Sequence, residues 1–398
     1  MANAVISLFK PKTLNLINNA VKLSNVLPIT GVQNVRSLYS KSTLGIDGFT
    51  MQQEKTRMQM HNISDKFREK MNEYSNEDSK SMIFTEDLKN MIHLSESDED
   101  IQLVYNMIKK FNAQNKQVRF GNYVFGPVVM RMLHLYGKHD MAWELFNSPE
   151  MDGFFDQVMT YQILLDLLYE NGKYDEVLKA VDIVKSRQLE GAKYPRNVVV
   201  LALAACYKLN TKESLDYAVK MWQELSEVGH LPMRRATTFA AGLALNQGQP
   251  AIALEILVSC RNQNYTTIRN IKVAAFADLG RVEDAIPVLK SILSDDNPGT
   301  TVHTFNKDVI EKVKNAVVQL DNPDTSLEFN RIEQMLQKQG HIADTVLDEQ
   351  LCSEIQRPPM MNNRDRNQGQ YQQRYQRNTQ NRGKTFPYTQ RPGLNDLV

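Results

Sequence analysis

The residues with the greatest capacity for chemistry are seven histidines, three cysteines and the acidic run Glu96-Ser97-Asp98-Glu99-Asp100. Their spacing does not serve catalysis. No histidines stand in an H-E-x-x-H pattern, no glycine-rich phosphate loop appears, and no serine sits in a nucleophile elbow. Cys206, Cys260 and Cys352 are odd in number and far apart, which excludes a secreted disulfide framework, offers no C-x-x-C metal pair and fits a reducing compartment. The acidic run reads either as a metal site of a nuclease or as the start of a helix that continues through Ile101, Val104, Tyr105 and Ile108. Carboxylates on the positive end of a helix dipole favour the second reading. The chain is therefore expected to have no catalytic residue, no metal site and no cofactor, and to work by binding.

Charge is unevenly distributed. The first 46 residues carry five bases and no acid, and residues 357–398 carry eight bases and two acids. Against a chain total of +1, this leaves residues 47–356 at −10. The middle is thus no general polyanion surface, and a nucleic acid would be met by local patches or by the basic tail. Arg234-Arg235, directly after Pro232, is one such patch, read either as a phosphate contact or as a surface feature. The acid-free, Ser- and Asn-containing N-terminus has the composition of an organelle transit peptide, and Arg36-Ser37-Leu38-Tyr39-Ser40 resembles a matrix-protease cleavage neighbourhood. No apolar run is long enough for a membrane-spanning helix. From Arg357 onward Asn, Gln and Arg dominate, with Tyr371, Tyr375, Phe386 and Tyr388 interspersed. Such a composition cannot pack a core and is expected to be disordered, either an inert polar tail or an RNA-binding one.

The elements that must position any binding residue come from a repeat. Tyr136-Gly137-Lys138-His139-Asp140-Met141-Ala142 recurs as Asn171-Gly172 through Val177, as Gln247-Gly248 through Ala253, and as Leu279-Gly280 through Ala285. The glycines are 35, 76 and 32 residues apart, and the long interval is two steps with a degenerate unit turning near Asn210. Apolar residues fall at helical spacing on both sides of each glycine, as in Tyr161, Leu164, Leu165 and Leu168 and in Leu215, Ala218, Met221, Trp222 and Leu225. Each unit is therefore a helical hairpin in which glycine supplies the left-handed turn. A lone hairpin cannot bury its apolar stripe, so neighbours must stack.

The segment from Met221 to Pro232 resembles the second-helix ending of pentatricopeptide repeats, Gly191 to Pro195 repeats it loosely, and Thr160-Tyr161-Gln162-Ile163-Leu164 resembles their start. The resemblance spans roughly residues 85–300. It implies an all-α fold, an α-solenoid of stacked helical hairpins (a PPR/TPR-like superhelix) with disordered termini. The expected organisation is a mitochondrial transit peptide over 1–40, an N-terminal helical region over 50–120, repeats over 121–293, capping helices over 300–356 (Phe305–Leu320 and Ser326–Gln339) and a tail over 357–398. Such arrays read single-stranded RNA at about one base per repeat. Carried over residue by residue, the base-reading position falls on Gln162 and Asn270, and elsewhere near Pro127, Val200 and Thr238. The unit-end position falls near Gln157, Arg196, Met233 and Tyr265, of which Arg196 and Tyr265 suit phosphate contact or stacking. Each of these residues is otherwise an ordinary helix residue. The resemblance implies a mitochondrial-matrix RNA-binding protein acting in transcript maturation, processing or stability, and so in respiratory-chain expression. Its implied partners are single-stranded mitochondrial RNA and mitoribosomal or RNA-processing proteins. The alternative is a solenoid scaffold for proteins, including a mitoribosome-associated subunit.

Overall fold

The computed structural model describes residues 37–355, apart from 77, 118–122, 189–192 and 294–302. The expected transit segment up to residue 36, Gly191 and the tail beyond Ile355 lie outside the described residues. Helices α1 (Lys41–Leu44), α2 (Ile46–Met60), α3 (Ser64–Ser75), α4 (Thr85–Leu94) and α5 (Asp98–Gln117) come first, with α2 packed on α4 and both α3 and α4 on α5. The acidic run does open a helix: Asp98, Glu99 and Asp100 fill the first turn of α5. Asp100 is held there by Arg68 Nε at 3.0 Å and by the Glu96 amide at 3.0 Å.

Hairpins follow. They are α6 (Gly126–Leu135) with α7 (His139–Asn147), α8 (Val158–Glu170) with α9 (Tyr174–Arg187), α10 (Arg196–Leu209) with α11 (Lys212–Glu227), α12 (Arg234–Asn246) with α13 (Pro250–Val258), α14 (Thr266–Asp278) with α15 (Val282–Leu293), and α16 (Lys307–Leu320) with α17 (Pro323–Lys338). Gly137, Gly172, Gly248 and Gly280 occupy the turns at φ between 65° and 72°, where a side chain would be strained. After each, the next amide folds back onto the helix it leaves, as Lys173 N does onto Leu168 O at 3.0 Å. In the degenerate hairpin Asn210 takes the same conformation at φ 48°, and its carbonyl and side-chain oxygens both accept from Gln247 Nε2. Five residues beyond the glycines, Ala142, Val177, Ala253 and Ala285 are fully buried where the paired helices approach.

The first helices of the hairpins, α6 through α16, pack on one another in order and form an inner layer, and the second helices pack against them. The middle inner helices α8, α10 and α12 are buried on every side over most of their length: Thr160 to Tyr169, Val198 to Tyr207 and Ala236 to Leu245 have no exposed residue. The run Val198-Val199-Val200-Leu201-Ala202-Leu203-Ala204-Ala205 is apolar all round, as a helix covered on both faces must be. The second layer covers one face. On the other lie two segments of the chain itself.

Strand β1 (Phe305–Asn306) pairs in parallel with β2 (Ile342–Ala343). Phe305, expected to begin a helix, is instead drawn into this pair by the His341 carbonyl at 2.8 Å, and α16 starts at Lys307. From β2 the chain passes through α18 (Leu347–Leu351) and returns across α14 and α12 to Ile355. There it meets the N-terminal segment: Tyr39 bridges Ile355, with Ile355 N on Leu38 O at 2.7 Å and Ser40 N on Ile355 O at 3.3 Å. Leu38 and Tyr39 are core residues, although the end of the expected transit segment reaches past them.

Candidate nucleic-acid interface

A hairpin fixes the direction of its helices, so the N-termini of the inner helices and the C-termini of the second helices share one edge of the layer. The first turns of α6, α8, α10, α12 and α14 contain no acid. Arg196 begins α10, and Arg234 and Arg235 begin α12. A base in the first turn opposes the helix dipole, so this placement does not serve helix stability. At the opposite edge, the first turns of α7, α9, α11 and α15 carry Asp140, Asp175 with Glu176, Glu213, and Glu283 with Asp284. The first-turn carboxylates of the second helices thus stand away from the edge of the arginines, while Asp156 and Glu224 remain on that edge.

On the basic edge Arg196 and Arg234 are exposed. The Arg234 guanidinium lies 4.4 Å from the ring centre of Tyr265, the N-cap residue of α14 and only half buried, so a stacked cationic surface links two successive repeats. Arg196 lies near His230, whose pKa is lowered by burial and further by that positive charge. Lys185 and Arg187, from the last turn of α9, face the same edge with their charges spent on Glu224 at 3.4 Å and Asp156 at 2.6 Å.

The amides expected to read bases are placed otherwise. Gln162 is 2% exposed, and its Oε1 accepts from Asn197 Nδ2 at 2.7 Å; Asn197 in turn accepts from the Tyr39 hydroxyl at 3.4 Å. Asn270 is fully buried. Its Nδ2 donates to the carbonyls of Thr266 and Thr304 at 3.0 and 3.1 Å, and its Oδ1 accepts the Asn306 amide at 2.8 Å, which anchors β1. Thr238 is buried with its hydroxyl on Arg235 O, and Val200 lies in the core. Arg235 binds the chain's own C-terminal segment, donating to the carbonyls of Gln350, Leu351 and Ser353 and to the Ser353 hydroxyl at 2.7 to 3.3 Å. Arg196, Arg234 and Tyr265 therefore remain accessible, while Gln162, Asn270 and Arg235 are engaged inside the chain.

A group that sequence spacing did not reveal is His134, Asp166 and Glu170, whose ligating atoms lie within 4.8 Å of one another. His134 Nε2 stands 3.1 Å from Asp166 Oδ2 and 3.6 Å from Glu170 Oε2. Burial pushes the Asp166 carboxyl up to about 6, opposed by its hydrogen bond from His134. Its other oxygen accepts the Tyr39 amide at 3.3 Å, so both oxygens are engaged and the group ties the N-terminal segment to α8. The residues lie about one repeat apart, which is the signal that could have joined them.

No family model matches the chain. Among curated proteins, pentatricopeptide repeat-containing protein 2, mitochondrial, of Mus musculus is 32% identical over 273 residues, covering 68% of this chain and 70% of the relative. The Homo sapiens protein of the same name is 31% identical over 68% of this chain and 69% of its own length. That of Danio rerio is 27% identical over 80% and 81%. Among solved structures, the pentatricopeptide repeat protein PPR10 from maize superposes with a TM-score of 0.39 at 15% identity, covering 86% of this chain and 46% of that one, too distant a likeness to bear on the fold. With about a third of the aligned residues identical over most of both chains, and with hairpins turning at the repeated glycines, the chain belongs to the family of pentatricopeptide repeat-containing protein 2.

Proposed function

We propose that the protein is an RNA-binding factor of the mitochondrial matrix that protects, matures or presents a transcript, and so serves respiratory-chain expression, with no catalytic step of its own. The observation that carries this reading is the sidedness of charge: five successive inner helices without an acid in their first turn, beside Arg196, Arg234 and the Tyr265 ring. A phosphate chain along this edge would gain helix dipoles, guanidinium contacts and a stacking surface together. Affinity is then mostly independent of base sequence, with Gln162 and Asn270 contributing base contacts only when the inner face is uncovered. The basic tail from Arg357 adds a further sequence-independent contribution. Binding of a single-stranded RNA across a salt series tests this. Arg196→Ala with Arg234→Ala should weaken binding and reduce the salt slope by about two phosphate contacts; an unchanged slope refutes the edge as the interface.

A second reading is a protein scaffold, including one associated with the mitoribosome. It is favoured by what the inner face holds, which is a segment of polypeptide whose short helix is bound at its C-terminal carbonyls by Arg235.

A further inference from the structure

Two segments of the chain lie over the inner layer where a ligand reading the first helices would have to enter. The C-terminal one is fixed at β2, at the Leu347 amide by Asp308 Oδ2 at 3.0 Å, at Asp348 by Lys208 at 3.6 Å, and at residues 350–353 by Arg235. The N-terminal one is fixed by Asp166 and Asn197 through Tyr39, and by Arg131 Nε on Leu44 O at 2.8 Å. Between them, attached at Tyr39 and Ile355, they touch every inner helix from α6 to α16.

The C-terminal cover is bound less closely than the layer beneath it, whereas the N-terminal one is anchored by the buried Leu38 and Tyr39. The C-terminal one has a two-residue strand pair and a five-residue helix, and its deepest apolar anchor is Leu351. A groove of about 320 Å³, open to solvent, runs beside α18 and is lined by Tyr207, Asn246, Asp308, Lys312, Leu347 and Leu351. Another of about 550 Å³ lies beside the N-terminal segment, against His134 and Glu170. A short segment with few buried apolar groups belongs to the low-stability end of a native structure.

We propose that residues 342–355, latched to residues 38–40, form an autoinhibitory clasp that lies over α12 and α14 on the inner face and that single-stranded RNA must displace to reach the guanidinium of Arg235 and the helix surface beneath it. The inference rests on the RNA reading above and adds its regulation: the protein exists as a closed form, bound along its edge, and an open form that also engages its inner face. RNA binding and clasp opening are then linked, and the apparent affinity of the closed protein is reduced by the fraction of molecules that are open.

The test uses the full chain with a short random-sequence single-stranded RNA, and a double variant, Leu351→Ser with Ile355→Pro, that removes the apolar anchor and the Ile355 amide without altering an inner helix. Hydrogen exchange in residues 347–355 should be modestly protected in the unaltered protein, faster in the variant, and faster in the unaltered protein when RNA is added. RNA should bind the variant about tenfold more tightly if about one molecule in ten is open beforehand. If the variant opens but binds RNA no more tightly than a binding-competent unaltered protein, the clasp proposal falls and the RNA reading stands. If neither protein binds RNA, both fall and the scaffold reading replaces them. Should the variant fail to fold, the RNA-dependent exchange of the unaltered protein decides: no acceleration on binding overturns the clasp.

Discussion

Gly242 lies in the third turn of α12, inside a helix, where glycine costs about 1 kcal/mol relative to alanine. Gly242→Ala should therefore stabilise α12 if nothing stands in the way. A β-carbon there would come within 3.0 Å of Leu351 Cδ1 and 3.1 Å of Tyr207 Cε2. Both distances are short enough that the neighbours must yield, and they yield unequally. Tyr207 is held in α10 and packs tilted against Phe239, whereas Leu351 sits on the short α18 beside an open groove. Burying a leucine is worth about 1.5–3 kcal/mol, and a shift of a few tenths of an ångström forfeits only part of that. The propensity gain and the loss at Leu351 should nearly cancel in the stability of the whole protein, leaving a net change within about 1 kcal/mol. They should not cancel locally, because the gain belongs to α12 and the loss to the clasp. Urea unfolding should thus change little, while exchange of the amides in 347–355 accelerates and that of α12 does not. A full gain of about 1 kcal/mol with unaltered exchange in 347–355 would show that Leu351 does not rest on Gly242.

Other outcomes follow from the same contacts. Asp166 holds its proton more tightly folded, at about 6, than its ordinary 3.8, so its contribution to stability falls as pH rises from about 4 to about 6. Asp166→Asn should remove that slope and gain on the unaltered protein by up to about 3 kcal/mol over the interval, read by denaturation at each pH. Asn210→Val should cost about 1–2 kcal/mol because the left-handed turn is closed to β-branched residues, whereas Asn210→Gly should cost less, in thermal melts. If a presequence is removed, mass spectrometry of the mature chain should place its N-terminus at or before Leu38. Cleavage after Tyr39 would delete two core residues and the contact with Ile355.

The turns at Gly137, Gly172, Gly248 and Gly280 were legible because a left-handed turn is a local demand that residue type answers directly. The small residues five positions later were legible for the same reason. Gln162 and Asn270 were not. Their surroundings are made by Tyr39 through Asn197 and by Thr304 and Asn306, far away in sequence or beyond the repeat itself, and no period within the array announces them. One clue was present: the apolar run from Val198 to Ala205 has no polar face to offer solvent, and a helix of that kind must be covered on the side away from its hairpin partner. The exposed helix-start positions of Arg196 and Arg234 were legible because residues at a helix N-terminus take their position from the turn before them rather than from distant segments.

The meeting of Tyr39 with Ile355 also sets an order in time. Stacked hairpins contact only their neighbours and can form as each is synthesised. The seam between residues 38–40 and 355 cannot, since its second half is among the last stretches made. At about 5–20 residues per second, Leu38 and Tyr39 wait roughly 15–60 s between their own synthesis and the arrival of Ile355. Throughout that interval two large apolar side chains and the inner faces beneath them stand open to solvent and to other chains. A chain is thus at its most adhesive before Ile355 closes the seam, and one halted short of Ile355 would remain so.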